Sequence, residues 1–236
     1  MSRGSLLAFL ALVLFVVGAL LVGVWRTSPA SRRGVRTGAT ALGLAVWMGA
    51  TAVLAQSGRL SQFDTLPPPA LPVLVGLLIG TIVFALSPIG RRLAHGVPLA
   101  ALVGVQVFRV PLELLLHRLY TEGVLPVQVT YEGWNYDIAT GLLALLLAGA
   151  LWRTRVPRAW VAAWNGLGLV LVAVVVSTAV LSLPTPFQQF TAEPTTVAVV
   201  STVPLIWLPT VLVQAAVLGH VLVFRRLFGT APSDVV

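Results

Sequence analysis

Apolar residues occur in seven long runs along the chain, and short polar segments separate the runs. The runs cover residues 6–24, 39–55, 71–86, 97–119, 137–152, 159–183 and 197–224. A helix needs about 20 apolar residues to cross the hydrocarbon core of a bilayer. We therefore predict an all-α, polytopic membrane protein in which residues 1–236 form a single bundle of seven transmembrane helices. The run 6–24 is predicted to be a span and not a cleaved signal peptide, because its stronger positive flank follows it.

The arginines of the chain are distributed unevenly between the segments that connect these runs. Four alternate segments carry eleven of the fifteen arginines. Because cytoplasmic loops carry an excess of basic residues, this pattern predicts an N-terminus outside and a C-terminus in the cytoplasm. The bias towards arginine, alanine, valine and glycine is typical of a bacterium with a GC-rich genome. We therefore expect a multi-pass protein of the bacterial cytoplasmic (inner) membrane.

Composition excludes several classes of protein. The chain is 58% hydrophobic and only 9% charged, whereas a soluble domain carries about 25% charged residues. Its net charge of +8 does not indicate nucleic-acid binding, because the arginines flank apolar runs; the lipid bilayer is the expected partner. The absence of cysteine excludes iron–sulfur clusters, and the absence of lysine excludes a Schiff base to retinal.

The fourth run contains the polar residues that best indicate a function. Arg109, Glu113 and His117 are spaced four residues apart, and with Gln106 and Tyr120 they fall within an arc of roughly 80° on one helix face. Ionisable groups at membrane depth are costly and usually face a bundle interior or a wet cavity. Neighbours in this stripe are expected to form i,i+4 ion pairs, and Pro111 is expected to interrupt the backbone hydrogen bonds between them. The stripe is either a proton relay or anion-binding pocket, or an internal ion pair that holds helices together.

The loop that follows this run is rich in polar and aromatic residues. Residues 125–131 alternate in the manner of a strand, between turn residues. The side chains expected to form a pocket above His117 are those of Glu132, Trp134, Asn135 and Asp137. Asp137 is alternatively a simple N-cap of the next helix, and the aromatic residues are alternatively an interfacial belt. The spacing matches no metal motif, so we predict neither a metal nor a cofactor.

Later runs add three expectations. Pro204 and Pro209 predict irregular backbone in the seventh run, which survives in lipid only against protein or a cavity. Trp207, between them, is expected to pack beside Arg109 as a cation–π partner. Asn165 is expected to make a hydrogen bond that packs helices, and His220 to lie near the cytoplasmic interface, where haem ligation with His95 is disfavoured.

The fourth run and its exit loop resemble a segment of small multi-pass bacterial inner-membrane proteins of uncharacterised function. The matching residues are Phe108, Arg109, Glu113, Tyr120, Gly123, Pro126, Thr130, Glu132, Gly133, Asn135, Asp137 and Gly141. The resemblance implies that the polar stripe and the exit loop work as one unit, and it implies no activity.

Three functions follow from these observations, in order of preference. The first is a transporter-like or sensor-like membrane protein that binds a small molecule, ion or proton at Arg109, Glu113 and His117. The second is a non-catalytic accessory or structural subunit, whose partner is another membrane protein. The third is a membrane enzyme that acts on a lipid or quinone; catalytic motifs such as GxSxG and HExxH are missing from the sequence, which favours a protein that is not an enzyme.

Overall fold

The computed structural model describes residues 1–191 and 196–229, and those residues are largely helical with no β-strand. Five helices are long and apolar enough to cross a membrane: Arg3–Thr27, Ala30–Gln56, Leu99–Thr121, Arg158–Leu181 and Leu208–Phe228. Two helices joined by a 64° bend, Ala70–Leu86 and Pro88–Gly96, give a sixth if they are counted as one span. The helix Ile138–Arg153 is apolar but only 16 residues long.

We number the α-helices in chain order. They are α1 (Arg3–Thr27), α2 (Arg33–Gln56), α3 (Ala70–Leu86), α4 (Pro88–Gly96), α5 (Leu99–Val105), α6 (Arg109–Thr121), α7 (Ile138–Arg153), α8 (Arg158–Leu181) and α9 (Val213–Phe228). A 3₁₀ turn, Gln106–Phe108, joins α5 to α6 within one continuous span. This irregular turn lies directly before Pro111, which has no N–H to donate to the preceding turn, as the sequence predicted.

The helix predicted from the seventh apolar run begins later in the structure than in the prediction. Residues 197–224 were expected to form one helix, but Val197–Ser201 is a separate 3₁₀ turn and regular α-helix begins only at Val213. Between them lies a π-helix, Leu208–Leu212. Pro204 and Pro209 lack the N–H groups that a continuous α-helix needs there, so the predicted irregular backbone is confirmed.

Helix α9 lies at the centre of the bundle, where it packs against α3, α4, α5 and α8. Helix α2 packs mainly against α1 and exposes most of its length. At one end of the bundle, the start of α1 contacts the end of α6, where the hydroxyl of Ser5 donates to Glu122 over 2.6 Å. At the other end, Arg225 donates to the carbonyl of Ser87 and Arg226 to that of His95, each over 2.8 Å.

Two apolar clusters make up most of the core, and they leave a layer between them. One cluster includes Phe9, Phe108, Leu116 and Leu212, and the other includes Val24, Val103, Ala144, Trp164 and Val223. Five buried polar side chains from four segments belong to neither cluster: Gln106, Arg109, Asp137, Asn165 and His220. We call these five residues the polar layer.

The exit loop after α6 is folded without a strand. Residues 125–131 were predicted to alternate like a strand, but no second strand is present among the described residues to pair with them, and Val127–Val129 forms a 3₁₀ turn instead. The loop then folds back on itself, because Trp134 N–H donates to the carbonyl of Gln128. Gly133 is required at this close approach, since a Cβ there would lie 2.3 Å from the carbonyl oxygen of Val127.

Candidate functional site

Arg109 is the centre of the polar layer and is fully buried. All three guanidinium nitrogens donate hydrogen bonds. Nε donates to Gln106 Oε1 over 3.1 Å, Nη1 donates to Asp137 Oδ1, and Nη2 donates to His220 Nε2 over 3.0 Å. One side chain therefore links its own helix to the start of α7 and to α9 at the middle of the bundle.

The hydrogen bonds around His220 fix its tautomer. A guanidinium can only donate, so His220 Nε2 must accept and the ring proton must sit on Nδ1. His220 Nδ1 then donates to Asn165 Oδ1 over 2.7 Å, and Asn165 Nδ2 donates to the His220 carbonyl over 2.9 Å. His220 is consequently a neutral acceptor for Arg109, and Asn165 ties α8 to α9 as a helix-packing residue, as expected.

The close contact between α8 and α9 depends on Gly168. A Cβ at this position would lie 2.2 Å from Cε1 of the His220 ring. Because that ring is held by Asn165 on one side and Arg109 on the other, it has little room to move. The glycine therefore allows the helix backbone to approach the ring closely enough for the Asn165 hydrogen bonds to form.

Glu113 is buried beside the polar layer and has a different partner. Its Oε2 accepts a hydrogen bond from Asn135 Nδ2 over 2.7 Å. The same nitrogen donates to the carbonyl of Val129, and Asn135 Oδ1 accepts from the Asp137 N–H. The exit loop thus reaches down onto α6 and connects Glu113 to the segment that holds Asp137.

Two predicted roles are wrong at this point. The i,i+4 ion pairs Arg109–Glu113 and Glu113–His117 are not formed, because Arg109 reaches across to Asp137 and the exit loop supplies Asn135 to Glu113. Asp137 stands at the N-cap position of α7, but its side chain makes no capping hydrogen bond. The Asp137 carboxylate pairs with the buried Arg109 guanidinium instead, and the N–H groups of residues 139–141 donate to the backbone carbonyls of Tyr136 and Asp137.

The outer part of the predicted stripe forms a separate patch. His117 Nε2 lies 3.7 Å from Glu132 Oε1, and its ring stacks on Tyr131 with a centroid separation of 4.7 Å. Tyr120 lies at the edge of the same ring, 6.0 Å between centroids. Trp134 is half exposed and packs near Phe190. These residues lie around His117 and do not join the polar layer.

Trp207 lies away from Arg109. Its indole Nε1 donates to the carbonyl of Met48 on α2 over 3.2 Å, and the ring packs with Ala55 and Leu60. The described residues contain no cation–π contact between Trp207 and Arg109, so that predicted pairing is wrong. The irregular segment that contains Pro204 and Pro209 contacts α2 instead, where Trp47 Nε1 donates to the carbonyl of Thr210.

An apolar cavity of about 130 Å³ lies beside Glu113. Its walls come from α3, α6, α8 and the irregular segment before α9, and they are mostly Val, Leu and Ala side chains. Four polar side chains stand together at one part of its lining: Arg109, Glu113, Asn135 and Asp137. Of the residues described, no group of three or more His, Asp or Glu side chains is placed to hold a metal ion.

Comparison with protein families gives one match. The family described as "Domain of unknown function (DUF8737)" matches residues 68–228. The chain belongs to this family. The DUF8737 region starts just before α3 and ends with α9, so it contains the whole polar layer together with Glu113 and Asn135. No curated protein and no solved structure matches the chain.

Sequence reasoning missed His220 as a member of the site. Its position five residues before Arg225 suggested the membrane interface, whereas the structure buries it completely. The useful signal was Gly168, three residues after Asn165, because a small residue beside a polar one in an apolar helix indicates a close polar contact with a neighbour.

Proposed function

We propose that this DUF8737 protein is an integral membrane protein that binds a proton or a small molecule at Glu113, at the polar end of the apolar cavity. The observation that carries the proposal is a difference in pairing. Arg109 forms an ion pair with Asp137, whereas the buried carboxyl group of Glu113 has only the neutral Asn135 amide as its hydrogen-bond partner. The site thus contains two carboxyl groups but one guanidinium, and His220 adds no positive charge because it is neutral.

An uncompensated charge in a low-dielectric interior costs several kcal/mol, so such groups take a proton or a counter-charge. The groups that surround Glu113 are Arg109 on its own helix, Asp137 at the start of α7 and Asn135 in the loop. None of them supplies a second positive charge. A proton on Glu113 or a positively charged occupant of the cavity restores neutrality, and this supports a transporter-like or sensor-like role.

The proposal includes seven spans in a bacterial inner membrane, with the N-terminus outside. Helix α7 would be the span that raises the count from six to seven. At 1.5 Å per residue it is about 24 Å long, which is enough to cross a locally thinned bilayer. The contact between Ser5 and Glu122 supports one face for the start of α1 and the end of α6. The contacts of Arg225 and Arg226 support a common opposite face for the end of α3, the arginine-containing helix α4 and the end of α9.

The second candidate, an accessory subunit of a larger membrane complex, is favoured by the hydrogen bonds that every nitrogen of Arg109 makes within the bundle. A guanidinium whose three nitrogens all donate within the bundle serves to fix helices. Purification from native membranes separates the candidates. A stoichiometric protein partner, with no small molecule bound, favours the subunit.

Infrared difference spectroscopy at acidic and neutral pH tests the proton, and native mass spectrometry of the purified protein tests the small molecule. We expect a protonated-carboxyl band in the infrared spectrum or a bound molecule in the mass spectrum. Either signal should disappear in Glu113→Gln and persist in the control Asp64→Asn, which removes an exposed carboxylate. If Glu113 neither changes protonation nor holds a molecule, the proposed function is wrong.

A further inference from the structure

The acceptors at the polar end of the cavity are carboxyl oxygens. Each nitrogen of Arg109 makes one hydrogen bond within the polar layer, which uses three of its five N–H groups. The Asn135 amide nitrogen donates to both Glu113 and Val129, and its oxygen accepts from Asp137. The oxygen of Glu113 that Asn135 does not contact remains, in a side chain that is 2% exposed and lines the cavity. An occupant that contacts this oxygen while Glu113 is ionised must donate a hydrogen bond, because a carboxylate only accepts. Two carboxylates beside one guanidinium also disfavour the anion-binding alternative for Arg109.

Charge leads to the same conclusion. Two acidic side chains and one guanidinium border this end of the cavity, so one positive charge is missing when both acids are ionised. A cation placed against Glu113 would complete the set in a region of low dielectric, where such a pairing is strong.

The remaining walls of the cavity are apolar, so they favour an occupant whose cationic group is attached to an apolar chain. Leu71 and Leu74 of α3 and Val176 and Val180 of α8 line the cavity, and all four are only half-buried. Cavity-lining side chains of both helices therefore reach the outer surface of the bundle, where a bilayer would surround these apolar helices.

The wall also limits the shape of the cationic group. Phe108 is the one aromatic residue among the lining residues described. A quaternary ammonium group has no N–H and is recognised by several aromatic faces, which this wall does not provide. A primary ammonium group has three N–H donors and can hydrogen-bond to carboxyl oxygens directly.

From these observations we propose that the cavity binds a lipophilic primary amine, which enters between α3 and α8 and places its ammonium group against Glu113. This inference rests on the proposed function and names the class of its ligand.

Equilibrium binding to the full-length protein in phosphatidylcholine nanodiscs tests the inference, with empty nanodiscs as the baseline for partitioning. The probe is n-dodecylamine, compared with 1-dodecanol and dodecyltrimethylammonium. We expect one saturable site for the amine, with binding weakened at least about tenfold in Glu113→Gln and unchanged in Asp64→Asn. Val176→Trp should block the site, whereas Val170→Trp, on the exposed face of the same helix, should not.

Equal saturable binding of the alcohol would overturn the requirement for a cation, and equal binding of the quaternary ion would overturn the requirement for N–H donors. Absence of any saturable site for the amine would overturn the inference as a whole. In that last case a protonated-carboxyl band from Glu113 would still support the proposed function, so the two failures are distinguishable.

Discussion

Arg109 pairs with Asp137, 28 residues away in the sequence, and not with Glu113, one turn along its own helix. This relationship divides the polar residues into a closed set around Arg109 and a carboxyl group that is left to face the cavity. It also makes the stability of the bundle and the binding of a ligand separable by mutation.

Removing Arg109 alone should destabilise the protein strongly. Arg109→Met leaves the Asp137 carboxylate buried without a counter-charge, and loss of one partner of a buried ion pair costs about 3–5 kcal/mol. The double variant Arg109→Met/Asp137→Leu should recover part of that loss. Unfolding in mixed micelles measures the difference, and Arg91→Met, which removes an exposed arginine, serves as the control. Additive losses in the double variant would contradict the pairing.

His220 should be neutral with its proton on Nδ1 in the folded protein. The reason is that Arg109 Nη2 occupies Nε2 as a donor and Asn165 Oδ1 accepts from Nδ1. NMR of the ring nitrogens of isotope-labelled histidine identifies the tautomer, and the variant His220→Gln assigns the signal. A signal from a doubly protonated ring at neutral pH would show that Arg109 does not donate to it.

Two glycines of α8 provide a matched comparison. Gly168→Ala places a methyl group against the His220 ring and should cost about 1–3 kcal/mol through overpacking. Gly166→Ala meets no atom within 4 Å and should be neutral or slightly stabilising, because alanine favours a helix by up to about 1 kcal/mol over glycine. Thermal unfolding of both variants measures this; equal stability would show that α8 and α9 are further apart.

The contact between Glu122 and the start of α1 should make stability depend on acid pH. Hydrogen bonds from Ser5 and then Ser2 lower the pKa of Glu122 from an ordinary value of 4.5 to about 2. The pKa of Glu122 is therefore lower in the folded protein than in the unfolded chain. Its contribution to stability is complete above pH 4.5 and is lost as the pH falls towards 2.

Unfolding measured across this acidic range should therefore show a loss of stability in the wild type that Glu122→Gln lacks. Asp64→Asn, which removes an exposed carboxylate, should retain the wild-type dependence. Identical profiles for the wild type and Glu122→Gln would mean that Glu122 does not hold the start of α1.

Apolar runs and proline positions predicted most of the helices, because a helix built mainly from apolar residues leaves a long continuous signal in the sequence. The start of α3 and both ends of α7 differ from the predicted boundaries by one residue, whereas the helix after the prolines of the seventh run begins well beyond its predicted start. Apolar residues such as leucine and valine continue on both sides of the prolines. Hydrophobicity alone therefore cannot locate the residue at which the helical hydrogen bonding is interrupted.

The partners of the polar residues were harder to predict. Spacing along one helix identified Arg109 and Glu113 as neighbours, but it carries no information on which other segment reaches them. Asn135 and His220 are held in place by the fold of the exit loop and by the packing of α8 on α9. A polar residue in an apolar helix predicts that a partner exists, and only the packing of the helices decides which one it is.

The polar layer has a consequence for how the chain is made. Arg109 leaves the ribosome 28 residues before Asp137 and 111 residues before His220. Until α9 has been synthesised, the guanidinium lacks the His220 acceptor, which is one of its three partners, and in the proposed bilayer an incompletely paired guanidinium is costly to release into lipid. In that setting, insertion of the segment around Arg109 is completed only by α9, and a nascent chain truncated before α9 keeps an arginine that lacks one of its partners.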